Sequence, residues 1–161
     1  MDLIDGIIKD WQKERADIDC SGKEIIARMV YAHTKIVKAL EKSLKSFHIT
    51  PTIFSVLVTI RRRGKNGEVT IKQIMEEILI TSGATSNLIN KLVTNKLITK
   101  RPANKNEDAR AVFVKLTQKG LELIDDAMVA VAKCENMLLQ NFSPEEKSLL
   151  IKSLRTFISD E

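Results

Sequence analysis

Residues 81–117 read TSGATSNLINKLVTNKLITKRPANKNEDARAVFVKLT, and this stretch decides the fold. It opens with helical periodicity. Leu88, Ile89, Leu92 and Val93 recur at three- and four-residue spacing behind Ser82, a side chain suited to an N-cap. Burying that stripe leaves Thr85, Ser86, Asn87, Asn90 and Lys91 mostly on the other face. Short hydrogen-bonding side chains with one cation are the types that reach base edges and phosphates from a helix lying in a groove. No carboxylate occurs between Thr81 and Asn106, so nothing there repels a polyanion. An ordinary surface helix has the same pattern, and the residues that follow have to separate the two.

After this helix the period changes. Leu97–Arg101 and Ala111–Leu116 are rich in strand formers, with Val112, Val114 and Leu116 alternating onto one side. The loop between them, Pro102 to Arg110, is polar and has basic residues at its tip and base. A helix-turn-helix followed at once by such a hairpin is a winged helix. Arg101, Lys105 and Arg110 are the wing's cations available to phosphates or a minor groove. Ser86, Asn87, Asn90 and Lys91, with Thr85 beside them, are the candidates for the major groove, where Asn can pair bidentately with adenine.

The preceding sequence supplies the rest of this unit. Thr50-Pro51 starts a helix with Pro at a tolerated first-turn position, and Ile53, Phe54, Val56, Leu57 and Ile60 form its buried face. Arg61, Arg62 and Arg63 give it a basic end that suits either phosphate contacts or the helix dipole. Gly64 to Gly67 reads as a turn and Val69-Thr70 as a short strand against the wing. Thr70 caps a first helix-turn-helix helix over Ile71–Leu79.

Both chain ends are helical and unusually apolar. Leu3, Ile4, Ile7, Ile8 and Trp11 share one side of Leu3–Arg15, and Glu24–Phe47 carries a second long stripe, with Ser21 or Gly22 to cap it. After Thr117, Leu121 to Leu138 describes one long helix, and Ser143-Pro144-Glu-Glu146 is a capping box for a last one. These helices expose more apolar surface than one thin subunit can bury, which predicts a homodimer built from both ends.

The expected class is mainly α: one domain over residues 1–161, with 50–117 as the winged helix-turn-helix and 1–48 with 118–161 as a helical dimerisation region. The net charge of +5 and pI near 9.2 permit nucleic-acid binding. No apolar run approaches the roughly eighteen residues of a membrane span, no signal-peptide pattern opens the chain, and the two cysteines, Cys20 and Cys134, suit a reducing compartment. The reading is cytoplasmic, with no membrane partner. Asp17 and Asp19 disfavour a thiolate at Cys20, and Cys134 sits on an apolar helix face as a small buried hydrophobe. His33 and His48 have no clustered further ligands, so no metal or other cofactor is expected.

The wing motif brings a resemblance. Asp108-Ala-Arg110 followed by Leu116-Thr117-Gln-Lys-Gly120 is similar to the Asp-x-Arg and Leu-Thr-x-x-Gly of the MarR family of bacterial transcription regulators. The resemblance covers nearly the whole chain. It implies a homodimeric repressor of double-stranded DNA, bound at a pseudo-palindromic site and released by a small-molecule effector. It also implies that Asp108 positions Arg110 through a salt bridge. One position departs: the family has Gly after the recognition helix, where this chain has Lys96.

The amino terminus resembles the urate-responsive, PecS-like branch. Trp11-Gln-Lys-Glu-Arg15-Ala-Asp17-Ile-Asp19 is similar to that branch's Trp-x-x-Glu-Arg-Pro-Asp-Leu-Asp, and Ala27-Arg28 to its Gly-Arg. Its ligand site implies roles for Trp11, Arg28, Ser55 and Leu88. At Ser55 and Leu88, however, the branch carries Asp and Arg. Without those charges an anionic purine lacks its partners, so urate sensing is expected to be lost or altered.

Two other readings stay in view. One is a dimeric interaction module that has lost specific DNA binding, and the other an oxidant-sensing repressor. An enzyme is not expected. There is no Gly-rich phosphate loop, metal-spaced His/Cys set or nucleophile–base pattern, and Glu76-Glu77 reads as a solvated helix face.

Overall fold

The computed structural model describes residues 2–63, 67–78 and 82–159, and in these the chain forms seven helices and three short strands. α1 (Leu3–Glu14) starts at a capping box in which Asp2 accepts the Asp5 amide and Asp5 accepts the Asp2 amide. α2 (Ser21–Leu44) is not capped by Ser21 or Gly22 as expected: Ser21 is already helical, and Asp19 Oδ1 accepts its amide at 2.9 Å. A 3-10 turn, Lys45–Phe47, and His48 in the left-handed region (φ 56°) turn the chain into α3 (Pro51–Arg63). There the Thr50 hydroxyl accepts the Ile53 amide at 3.3 Å.

β1 (Glu68–Thr70) leads directly into α4 (Ile71–Ile78). Thr70 caps as expected, taking the Gln73 amide while the Gln73 side chain takes the Thr70 amide at 2.9 Å. α5 (Ser82–Thr94), β2 (Ile98–Pro102) and β3 (Val112–Leu116) follow. The capping role expected of Ser82 and most of the turn expected over 64–67 lie outside the described residues. Thr117 caps α6 (Gln118–Leu138) by accepting the Gly120 amide at 3.0 Å, and Ser143 with Glu146 forms the capping box of α7 (Pro144–Ile158).

The strands make one antiparallel sheet in the order β1-β3-β2, so the short strand before α4 does pair with the wing. Val69 lies opposite Val114, and Ile98 is on the same side of β2 as Lys100. Val69, Val114 and Ile98 turn inward, onto a core of Val56, Leu57, Ile60, Ile74, Ile89, Leu92, Ile124 and Ala127. Burial at these positions is almost complete. The winged unit shares this interior with α6, and α3, α4 and α5 are fixed against the sheet.

Two contacts hold α5 to the wing and the next helix. After α5 the Lys96 amide bonds to Val93 O at 2.9 Å and the Leu97 amide to Leu92 O at 3.0 Å, with Lys96 left-handed at φ 57°. That pair of bonds is a Schellman motif, and its hydrophobic contact joins buried Leu92 and Leu97. The turn usually made by Gly is therefore formed with Lys at the strained position, and the Thr117 hydroxyl secures it by donating to Lys96 O at 2.7 Å. Gly120 is required for a different reason. A Cβ there would overlap the Leu97 carbonyl, so the last Gly of the Leu-Thr-x-x-Gly motif lets α6 pass against β2.

The terminal helices look different. Ile4 and Ile8 of α1 are buried, but Leu3, Ile7 and Trp11 are not, and no residue of α7 is buried. Among the described residues no single helix is long and apolar enough to cross a membrane.

Candidate nucleic-acid interface

α5 divides into two faces. Thr85, Ile89 and Leu92 are almost fully buried, whereas Ser86, Asn87, Asn90 and Lys91 are exposed. Thr85 thus corrects the sequence reading, which placed it on the outer face. Its spacing of four from Ile89 and seven from Leu92 puts it on the inward stripe, and its side chain cannot reach a groove. Leu88 is half-buried, packed beside the core.

Asn90 has a partner that the sequence reading missed. Lys100 Nζ, on β2, donates to Asn90 Oδ1 at 2.9 Å. The signal was present in the parity of β2: Lys100 follows Ile98 by two residues and so leaves the strand on the side of α5.

The other face of the sheet carries an ion cage. Arg101 was expected to contact DNA. Instead its Nη2 donates to Glu68 Oε2 at 2.6 Å and its Nη1 to Glu107 Oε2 at 2.8 Å, while the guanidinium lies 4.3 Å from the Phe113 ring centroid. Two carboxylates and an aromatic face satisfy this cation within the wing, so Arg101 ties the wing loop to β1. Glu107 also accepts the Asn104 amide at 2.7 Å. Arg101's guanidinium, then that amide, pull the Glu107 carboxyl from its ordinary 4.5 down to about 2. The Glu68 carboxyl is lowered by the same guanidinium, and Arg101 itself is raised.

Asp108 serves Arg110 differently from what the family resemblance implies. Its Oδ1 accepts the Arg110 backbone amide at 3.0 Å, and its carbonyl accepts the Ala111 amide at 2.8 Å. This is an Asx turn. Among the described residues Asp108 forms no ion pair with Arg110, and the wing's ion-paired arginine is Arg101. Lys105 and Arg110 are exposed, and neither forms an ion pair among the described residues.

Arg61, Arg62 and Arg63 are also committed internally. Arg61 Nε donates to Asp125 Oδ1 of α6 at 2.9 Å, while Arg62 and Arg63 both pair with Glu77 of α4. Glu77 is therefore an anchor for the basic end of α3 and not a solvated helix face.

The ligand candidates are scattered over several elements and already engaged. Arg28 donates to Asp2 Oδ2 at 2.9 Å, to Asp5 and to the Glu24 carbonyl, which fastens α1 onto α2. Ser55 donates its hydroxyl to Pro51 O at 3.0 Å. Trp11 is partly exposed with Lys23 Nζ 5.5 Å from its ring, and a hollow of about 280 Å³ beside it is lined by Ile7, Asp10, Trp11 and Glu14. Arg28, Ser55 and Leu88 do not line that hollow. Cys134 is half-buried, not fully buried as expected, because α6 turns it toward a groove against α2 formed with Ala39, Lys42, Ser43 and Met137.

Comparison with known proteins fits this geometry. A sequence model described as MarR family matches residues 49–107, which run from the start of α3 into the wing loop. The matched segment covers most of the winged unit, which is thus similar to that family. Similarity to curated regulators extends along most of the chain. The HTH-type transcriptional regulator PecS of Dickeya dadantii is 26% identical over 147 residues, 91% of this chain and 87% of its own. The HTH-type transcriptional regulator MhqR of Bacillus subtilis is 25% identical, over 77% of this chain and 82% of its own. In fold, the chain is similar to a cysteine-to-serine mutant of MarR from E. coli complexed with operator DNA. There the TM-score is 0.74 at 24% identity, covering 88% of this chain and all of that one. BpsR of Bordetella bronchiseptica, whose DNA binding is regulated by 6-hydroxynicotinic acid, gives a TM-score of 0.74 at 18% identity, over 84% of this chain and 99% of its own. The protein is a DNA-binding transcriptional regulator.

Proposed function

We propose that the chain acts as a homodimeric repressor, reading a pseudo-palindromic operator with α5 of each subunit and relieved by a small-molecule effector. The observation that carries this reading is the outer face of α5. Ser86, Asn87, Asn90 and Lys91 stand exposed on a rigid helix, in a stretch free of carboxylates, beside a wing whose Lys105 and Arg110 are exposed. These six residues are the DNA contacts of the proposal. Thr85 and Arg101 are left out because burial and the ion cage engage them.

The division of labour follows from burial. Residues 50–117 read DNA, while 1–48 and 118–161 join two copies. Ile25, Val30, Leu149, Phe157 and Ile158 are all more than half exposed in the single chain, which leaves an apolar surface of the kind a second copy covers. Two-fold symmetry then sets the recognition helices about one DNA turn apart, roughly 34–36 Å. The setting is cytoplasmic, where such DNA is met.

The likeness to PecS supports a place near the PecS-like branch. Urate response is lost in this reading. Ser55 and Leu88 bring no charge, and Arg28 is already held by two aspartates. The test is a mobility shift of the purified protein on DNA from its own upstream region, with and without urate. Specific binding that urate leaves untouched is the expected result. Release by urate would show that the site works without those charges. No specific shift at all would favour the interaction-module reading, and loss of binding with peroxide the oxidant-sensing one.

A further inference from the structure

We infer that Lys100 sets the base preference of Asn90, making the pair a guanine reader and leaving adenine to Asn87. This rests on the reading of α5 as the recognition helix. An ammonium has three N–H donors and no acceptor, so the Asn90 atom that faces Lys100 Nζ at 2.9 Å is the carboxamide oxygen. The Asn90 NH2 is thereby turned away from Lys100 and keeps two donors.

An unconstrained Asn reads adenine by doing two things at once: it accepts from the N6 amino group and donates to N7. Lys100 takes one lone pair of the Asn90 oxygen and sets its ammonium beside the other, so the pair offers a groove chiefly N–H donors from Nδ2 and Nζ. Guanine is the base whose major-groove edge presents two acceptors, N7 and O6. Adenine's N6 and cytosine's N4 amino groups would instead face a donor. Asn87 lies one turn earlier on the same exposed face, and among the described residues its carboxamide has no intramolecular partner. It retains both functions and suits adenine.

The fold supplies the constraint. Lys100 extends from β2 on the side of buried Ile98, and β2 is locked to β3 by a continuous register from Ile98 to Pro102. Among the described residues no carboxylate pairs with Lys100, so none competes for its ammonium. Its neighbour Arg101 points the other way, into the ion cage.

Selection of binding sites from a random double-stranded DNA pool tests the assignment. The proteins are the wild type, Lys100→Met, Lys100→Arg and Asn90→Ala, each first checked for an unchanged thermal transition. The wild type is expected to enrich guanine at one symmetry-related position, by roughly tenfold over adenine. Lys100→Met keeps the stem, frees the Asn90 oxygen and shifts that position toward adenine. Lys100→Arg retains guanine, and Asn90→Ala removes the preference there without touching the position read by Asn87. If Lys100→Met weakens all sequences equally, with a salt slope shallower by about one, Lys100 is a phosphate contact and the inference is overturned. An unchanged preference in Asn90→Ala overturns it too, although α5 would remain the reader. A wild-type pool with no enrichment overturns the DNA-binding reading itself, and this assignment with it.

Discussion

The winged unit and the terminal helices are built from similar amounts of Ile and Leu but end in opposite states. In the winged unit Leu57 and Ile74 are 0% exposed, whereas in α7 Phe157 is 63% and Ile158 73% exposed. One region is a finished object within a single chain, with its polar face turned to solvent. The other has helices, caps and an apolar stripe but nothing yet to bury the stripe against. Capping and periodicity make a helix, but only a partner surface makes it stable. On the proposed function, reading DNA and joining subunits fall to different surfaces, and substitutions should pull the two apart.

The largest expected effect comes from the unfinished region. Leu154→Asp with Phe157→Asp places charges on the exposed stripe of α7 and should dissociate the homodimer in sedimentation. Affinity for a two-fold site should then fall by about 10²–10⁴-fold as avidity is lost. The dissociated full chain's affinity for one half-site should barely change. Next is the finished region. Ile74→Ala removes a fully buried side chain and should cost about 2–5 kcal/mol in denaturant unfolding, whatever the protein concentration. A concentration-dependent loss would mean that the two regions are not separable.

Asn87→Ala is aimed at the reading surface alone. It should cost roughly 1–3 kcal/mol of binding to the preferred site and little to scrambled DNA, with folding unchanged. Lys96→Gly sharpens the account of the turn between α5 and β2. Relieving a left-handed Lys should raise stability by about 1 kcal/mol, read as a higher melting temperature.

The smallest effect belongs to the ion cage. The Glu107 carboxyl is held at about 2 when folded, against an ordinary 4.5. Its contribution is therefore present above pH 4.5 and is lost as the pH falls toward 2. Glu107→Gln should flatten that part of the acid unfolding curve and leave the neutral-pH fold intact.

Much of this was legible in the chain. The helices, the capping roles of Thr70, Thr117 and Ser143, and the three strands follow from local rules, because caps and alternation act over a few residues. Thr85 was legible too, from its register with Ile89 and Leu92, but its polarity invited the outward placement. Arg101 and Arg61–Arg63 could not be assigned from sequence. Whether a cation is free depends on carboxylates that arrive from far away in the chain, Glu68 for Arg101 and Asp125 for Arg61. The Lys96 turn was legible only in part, since the Schellman bonds and the Thr117 hydroxyl that secure it depend on packing. The Asn90–Lys100 contact shows both levels: strand parity gives the side, and only the fold brings the two atoms together.

The central claim is that the outer face of α5 reads DNA sequence from a dimer. A fluorescence anisotropy titration tests it most directly, using labelled DNA from the upstream region and a scrambled control over a range of salt concentrations. The account predicts two chains per site, affinity falling steeply with salt, and a preference over scrambled DNA of about 10³ or more. Equal affinity for both DNAs at every salt concentration would contradict it.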